Sequence, residues 1–450
     1  MQTMAMTIVQ KTRSRNQKKQ PKIALVLAGG AISGGAFKLG GLLALNTYCD
    51  SHKVTDFDIY VGVSAGAFLA APLSAGIPPE ELVRSINGRS PIISQFSPFH
   101  FYYPNLSEFV TKPLELMRDS ALFFPELFRS MGSWMRTREG RSQLSRLIRE
   151  PSYPNLEQFL TNPMRDVTGQ GVVKAGFDSY LPSGLFDNRL IERFIRKNLR
   201  RNRLPNNFRL LHLRRNNSLY ISATNLNTAK AMLFGHDEDA SLTISEAVQA
   251  SSAIPGFYKP ARINDHEFVD GGVRRTANLS SAADKGADLI LAYNPFRPFM
   301  NATDGRPESN YRSLGEMGPA MILNQVFRTL LHSRLHLGVR RLALDKRFKG
   351  DLMLIEPHEM DERMFNISPI AFWKRAAAAE AGYLSVKTTL EKNHTRVSAI
   401  FANHGIQTNL ERLREDESAL RMARKNDEEL FRVLENPVKE PKKNPLYVVK

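Results

Sequence analysis

The sequence predicts an α/β fold: a three-layer α/β/α core on a mostly parallel central sheet, with an inserted helical cap and a helical C-terminal extension. Three observations predict it. Two strand–turn–helix units follow one another near the start of the chain, at 23–48 and 58–71. Their strands, Ile23-Ala24-Leu25-Val26-Leu27 and Asp58-Ile59-Tyr60-Val61, are almost continuous apolar runs. Short runs of that kind mark strands buried on both faces, as in a parallel sheet. From about residue 91 to 181 the alternation gives way to a Phe-, Tyr-, Met- and Pro-rich stretch with interleaved basic residues, and it resumes at Asp187.

In chain order, residues 1–20 are polar and basic, without periodicity, and read as a flexible tail. Residues 21–300 form the core domain, interrupted by the cap. A first helix is expected over about Ala36–Tyr48. Cap helices are expected at Pro113–Ser120 and Leu122–Met131, broken by Pro125. After Asp187 come a helix at about Asn188–Leu199 and strands at Phe208–Leu213, Leu219–Ala223 and Ala231–Phe234. Thr243-Ile244-Ser245-Glu246 is a capping-box signal that opens a helix to about Ser251. Glu267–Val269 and Asp288–Asn294 read as further strands. A polar linker follows Pro295 to about Gly318. Residues 301–450 are mainly helical, at Ala320–Leu344, Ala371–Leu390 and Asn409–Leu434, with a strand at Leu352–Ile355 and a basic tail from Pro437.

At 450 residues, 42% hydrophobic and 24% charged, the chain has the composition of a folded protein with one large domain or a few average ones. No run reaches the roughly 18–20 apolar residues of a membrane span. The start lacks the apolar core of a secretory signal, so the expected location is cytoplasmic, peripheral on a membrane. Cys49 is alone, which excludes an internal disulfide and a Cys-rich metal site, and it is expected to be a buried thiol. Lys and Arg outnumber Asp and Glu by 62 to 45, a net charge of +17, which points to a polyanionic partner. One basic cluster is Lys11, Arg13, Arg15, Lys18, Lys19 and Lys22. A second is Arg189, Arg193, Arg196, Lys197, Arg200, Arg201 and Arg203.

The chemistry gathers at three strand ends. Gly62-Val63-Ser64-Ala65-Gly66 places a serine between glycines on a strand-to-helix turn, the form of a nucleophile elbow. Ala28-Gly29-Gly30-Ala31-Ile32-Ser33-Gly34-Gly35 is a glycine-rich loop that opens a helix, where backbone amides meet an anion. Its spacing fails both the dinucleotide fingerprint and the nucleotide P-loop. Asp270-Gly271-Gly272 ends a third strand. In open α/β sheets, ligand sites form at such carboxyl ends.

With these motifs in this order, the sequence resembles the patatin-like phospholipase family. The resemblance covers roughly Lys22–Asn294. Ile23–Leu45 is similar to the family's strand, oxyanion loop and first helix; Gly62–Gly66 to its elbow; Ala250–Gly256 to the segment before the last active-site strand; and Asp270-Gly271-Gly272 to its Asp-Gly-Gly motif. The resemblance implies a patatin-like core and a Ser–Asp dyad. Ser64 would attack an acyl ester, Asp270 would act as base, and Gly29, Gly30 and Ala31 would form the oxyanion hole. The implied substrate is a phospholipid or another acyl-ester lipid, with an anionic membrane surface as partner; neither a cofactor nor a metal is implied. An ordinary Asp titrates near ~3.9, so the dyad requires a desolvated Asp270. Two departures stand out: the family's third glycine is Ala31 here, and Ser33 occupies a position that is often basic. Ala31 keeps its N–H, which serves an oxyanion if its φ stays negative.

Two alternatives remain at this point. An α/β-hydrolase triad would need a late histidine, with His358 the best placed and His404 next. A non-catalytic protein binding anionic lipid or nucleic acid would use the basic clusters alone, although no nucleic-acid motif is present.

Overall fold

A computed structural model describes residues 5–12, 20–152, 155–156, 158–163, 180–301, 313–414 and 427–435. Among them the strands are β1 (Met6–Val9), β2 (Ile23–Leu27), β3 (Ile59–Val63), β4 (Gly184–Phe186), β5 (Ser218–Asn225), β6 (Ala231–Phe234), β7 (Gly256–Tyr258), β8 (Ala261–Ile263), β9 (His266–Asp270), β10 (Leu289–Tyr293) and β11 (Asp351–Ile355). All but β4 and β7 make one sheet in the order β1-β11-β10-β2-β3-β5-β9-β8, with β6 also paired to β5. The central run β11-β10-β2-β3-β5 is parallel, while β1, β6, β8 and β9 add antiparallel edges. The expected mixed α/β fold with a mostly parallel sheet is therefore what the chain adopts. Strands β2, β3, β10 and β11 are buried along their whole lengths, as their unbroken apolar runs require.

Helix α1 (Ala31–Tyr48) is buried on nearly every side. The reason is a second helix laid directly on it. A Cβ added at Gly40 would come within 1.8 Å of the Ala379 carbonyl oxygen, and one at Gly382 would come equally close to the Phe37 oxygen. The two backbones therefore touch where glycines face each other.

The residues beyond 300, expected as a helical extension, are built into this core. β11 lies beside β10, and the helix at Arg375–Lys392 is the one that packs on α1. Helix Pro319–Leu344 lays Leu335, Val339 and Leu342 against Leu352 and Leu354 of β11. The tail also differs from expectation. Met6–Val9 pairs with β11, and the Lys11 amine donates to the carbonyls of Leu342, Asp345 and Phe348. Met6, Ile8 and Val9 carry enough apolar character to close the sheet edge, which a reading by charge alone overlooks. Residues 13–19 of that tail lie outside the described residues, as do residues 415–426 of the expected last helix and the tail from 436.

Contacts divide the chain into two units. The first holds Met1–Tyr103, Asn188–Pro255 and Pro260–Lys450; the second holds Pro104–Asp187 with Gly256–Lys259. In the second unit a single helix, Leu106–Arg136, runs through both Pro113 and Pro125, so the two shorter helices expected there are one. Strand β4 pairs in parallel with β7 in the same unit. In the first unit, Phe208–Arg215 is a helix rather than the expected strand. Asn207 caps it by accepting from the Leu210 amide, a local signal that short apolar runs do not show. Cys49 is buried with no disulfide, and burial pushes its thiol up to about 12.

Candidate active site

Sheet register brings the three motifs together. Leu27 pairs with Gly62, so Gly29, two residues past Leu27, lies beside Ser64, two residues past Gly62. Val63 pairs with Ser222, and the neighbouring Ala223 pairs with Asp270 across the antiparallel β5–β9 ladder. A Cβ added at Gly29 would lie 3.5 Å from that of Ser64, and the Ser64 hydroxyl is among the neighbours that hold the Asp270 pKa down. The structure thus places Ser64, Asp270 and Gly29 at one point on the sheet's carboxyl end.

Each turn has a steric cause. Ser64 sits at φ 55, ψ −126 between β3 and helix α2 (Ala65–Ser74). A non-glycine residue held at positive φ costs on the order of 1–3 kcal/mol, maintained by its surroundings. The Ser64 amide donates to Ser251 Oγ at 2.8 Å, and that hydroxyl donates to the Ser222 carbonyl at 2.6 Å, fastening the elbow to β5. A side chain at Gly66 would meet the Leu27 carbonyl oxygen at 2.0 Å, and one at Gly62 would meet Ala67 Cα at 2.5 Å. At Gly271 a Cβ would strike the Ser222 oxygen at 2.1 Å, whereas at Gly272 it would crowd Asp270 Oδ1 at 2.9 Å. Gly62, Gly66 and Gly271 are there because backbones meet, and Gly272 because the Asp270 carboxyl lies against it.

Asp270 is buried, and the Gly272 amide donates to its Oδ1 at 2.7 Å. Burial raises its pKa to about 6, against the opposing influence of the Ser64 hydroxyl, the Gly272 amide and the charge of Lys38. The desolvation that a Ser–Asp dyad needs is present.

The oxyanion loop is more constrained than its composition suggests. Ala31 has φ 48, so it does not keep the negative φ stated as the condition for its N–H to serve; the turn into α1 imposes the left-handed conformation. The amides of Ile32 and Ser33 donate to the Pro369 carbonyl at 2.9 and 3.0 Å. Lys38 supplies what the sequence reading missed. It is fully buried, and its amine donates to the carbonyls of Ala28 and, at 3.0 Å, of Gly29. In a trans peptide the following N–H points away from the carbonyl. With both carbonyls turned toward Lys38, the amides of Gly29 and Gly30 are turned to the other side. Burial lowers the Lys38 amine to about 7, with Asp270 raising it. The available signal was a lysine inside an otherwise apolar, glycine-rich helix.

Each histidine of the alternative triad has a hydrogen-bond partner other than Ser64 or Asp270. His404 Nε2 bonds Asp351 Oδ2 at 3.0 Å, at the amino end of β11 and so at the opposite edge of the parallel strands from Ser64. His358 accepts from the Met360 amide.

The resemblance implies no metal, but the fold gathers His332, His336 and Glu356, whose donor atoms lie within 4.8 Å of one another. The two histidines are four residues apart, but Glu356 joins them only through the fold. Burial pushes the Glu356 carboxyl up, but hydrogen bonds from both imidazoles outweigh this and hold it down at about 2.

A family profile described as patatin-like phospholipase matches residues 25–283. Among solved structures, VipD from Legionella pneumophila aligns at 16% identity over 87% of this chain and 71% of its own, with a TM-score of 0.36. ExoU in complex with SpcU, from the type III secretion system of Pseudomonas aeruginosa, aligns at 16% identity over 90% of this chain and 64% of its own, TM-score 0.26. A second ExoU structure aligns at 14% identity over 96% and 74%, again with a TM-score of 0.26. At those identities and scores, the assignment rests on the profile.

Proposed function

The chain belongs to the patatin-like phospholipase family, and from that premise we propose that it hydrolyses acyl esters of glycerophospholipids with Ser64 as nucleophile and Asp270 as its base. The observation that carries the reading is the nearness of Ser64 to a buried Asp270 whose pKa burial raises to about 6. A carboxylate so desolvated is a better proton acceptor than an exposed one.

In the proposed sequence, Ser64 Oγ attacks the ester carbonyl carbon while Asp270 takes its proton. The amides of Gly29 and Gly30 hold the oxyanion; one such donor is typically worth on the order of 10²–10³ in rate. Collapse expels the alcohol, which takes the proton back from Asp270, and leaves the acyl group on Ser64. Water, deprotonated by Asp270, then attacks the acyl-enzyme, and Asp270 returns that proton to the departing Ser64 oxygen as the fatty acid is released.

Apolar features of each unit support a lipid substrate. Phe68, one helical turn past Ser64, joins an aromatic cluster with Phe96, Phe101, Phe194 and Phe372; ring centroids lie 4.8 Å apart for Phe68–Phe96 and 4.6 Å for Phe96–Phe194. Helix Leu106–Arg136 leaves Leu106, Phe109, Val110, Leu114 and Met117 exposed at helical spacing, the pattern of a face meant for an apolar medium. Among the described residues no helix is long and apolar enough to cross a membrane. We therefore infer contact with a lipid surface.

The test is to incubate wild type, Ser64→Ala, Asp270→Asn and His358→Ala with mixed phospholipid vesicles and identify released fatty acids and lysolipids by mass spectrometry. Ser64→Ala and Asp270→Asn are expected at background, with His358→Ala fully active. Hydrolysis surviving in Ser64→Ala would overturn the reading.

A further inference from the structure

We propose that His332, His336 and Glu356 form a site for one zinc-type divalent metal ion, clipping helix Pro319–Leu344 to the carboxyl end of β11.

Two periodicities aim the three side chains at one point. Residues 332 and 336 are one turn apart, so both imidazoles stand on one face of the helix. That face is the one whose Leu335, Val339 and Leu342 pack on the sheet. Along β11, Leu352 and Leu354 point at the helix, and two residues further on Glu356 continues the same side. The apolar seam therefore ends in three donors. Glu356 Oε2 lies 2.8 Å from His336 Nε2 and 3.5 Å from His332 Nε2, and the two imidazole rings are 4.1 Å apart.

The donor set fits this class of ion. Two imidazoles and one carboxylate suit zinc or a neighbouring transition metal, whereas calcium and magnesium prefer all-oxygen shells. In a tetrahedral site with bonds of about 2.0–2.1 Å, neighbouring donor atoms sit roughly 3.3 Å apart. The two spacings to Glu356 straddle that value and reach it with shifts of at most about 0.5 Å, as the ion replaces the protons the imidazoles now donate. Glu356 is held in the orientation a ligand needs. It is 2% exposed, and the buried Asn294 amide donates to its other oxygen, Oε1, at 2.8 Å. Outer partners of this kind fix a ligand's geometry. Both histidines are partly exposed, which gives the ion a path in and leaves a fourth position for water.

The clip would steady the dyad indirectly. Between the two histidines, Arg334 donates to the carbonyls of Gly272, at 3.3 Å, and Val273, at 2.6 Å, in the turn that follows Asp270. Thr276 Oγ1 donates to the Leu331 carbonyl at 3.1 Å. No step of ester hydrolysis passes through the ion, so the site stands or falls separately from the proposed activity.

The experiment uses the full chain, stripped with a chelator and desalted, then titrated with Zn2+ in a calorimeter and with Co2+ by visible absorption. One ion per chain is expected, with cobalt bands of tetrahedral intensity and an upward shift in the unfolding midpoint on adding Zn2+. His332→Ala and His336→Ala should each weaken binding by more than about 100-fold, beyond the effect usual for an outer-shell change. A readout without variants is protection of His332 and His336 from diethyl pyrocarbonate by Zn2+, followed by peptide mass spectrometry. Absence of stoichiometric binding by wild type, equal affinity in both variants, or equal modification with and without Zn2+ would each overturn the proposal.

Discussion

Asp270 ties activity and stability together with opposite signs. Its folded pKa of about 6 lies above the ordinary ~3.9 of an unfolded chain. As base it must be ionised, so kcat/KM should fall as pH drops through about 6, one unit of slope per unit of pH. For folding the sign is reversed. Between about pH 4 and 6 the folded state binds more protons than the unfolded one, so this group's contribution to stability declines as pH rises through that window and stays low above it. Asp270→Asn removes that cost. It should therefore abolish hydrolysis at pH 7.5 while raising stability by about 2–3 kcal/mol, measured by urea denaturation. Lys38 makes a separate prediction. Lys38→Met keeps the side chain's length and loses its bonds to the carbonyls of Ala28 and Gly29. If those bonds aim the amides of Gly29 and Gly30, kcat should drop on the order of 10²-fold with KM little changed. An unchanged kcat would make Lys38 a mere space-filler.

At the scale of elements, contact between α1 and helix Arg375–Lys392 decides whether the glycine loop keeps its place. Gly40→Ala would drive a methyl into the Ala379 carbonyl, and backbone there has nowhere to retreat. It should cost about 3 kcal/mol, read as a lower denaturation midpoint. Why only part of this was legible beforehand follows from the kinds of signal involved. β2 and β6 have the bounds their apolar runs predict, and the capping box at Thr243 opens its helix as written, with Thr243 Oγ1 and Glu246 exchanging bonds. Local chemistry of that sort is written in consecutive residues. Strand β1, with four residues, and helix Phe208–Arg215 depend on partners or caps that periodicity does not reveal. The site divides likewise. Ser64, Gly29 and Asp270 sit in motifs; Lys38 and the His332–His336–Glu356 cluster acquire meaning only when α1 turns back on its loop and β11 reaches the helix beside it.

For the molecule as a whole, the question is where its excess of positive charge acts. Lys and Arg exceed Asp and Glu by 17, and the second basic cluster is displayed on one amphipathic helix, Arg189–Arg201. That helix buries Ile191, Phe194, Ile195 and Leu199, and exposes Arg189, Arg193, Arg196, Lys197, Arg200 and Arg201. Arg196 is engaged by Glu192 at 2.8 Å, so Arg193, Lys197 and Arg200 are the better choice for a test. Phe194 lies in the aromatic cluster with Phe68, so the same helix has its apolar side one residue layer from the elbow. A cationic residue close to an anionic membrane surface contributes about 1 kcal/mol. Replacing these three with Gln should then weaken partition of the inactive Ser64→Ala protein onto phosphatidylserine vesicles by roughly 100-fold. Partition onto purely zwitterionic vesicles should be unaffected. Raising salt should erase the difference, since exposed charges beyond a Debye length of about 8–10 Å are screened. Equal binding of the triple variant to anionic vesicles at low salt would move the attraction to another part of the surface.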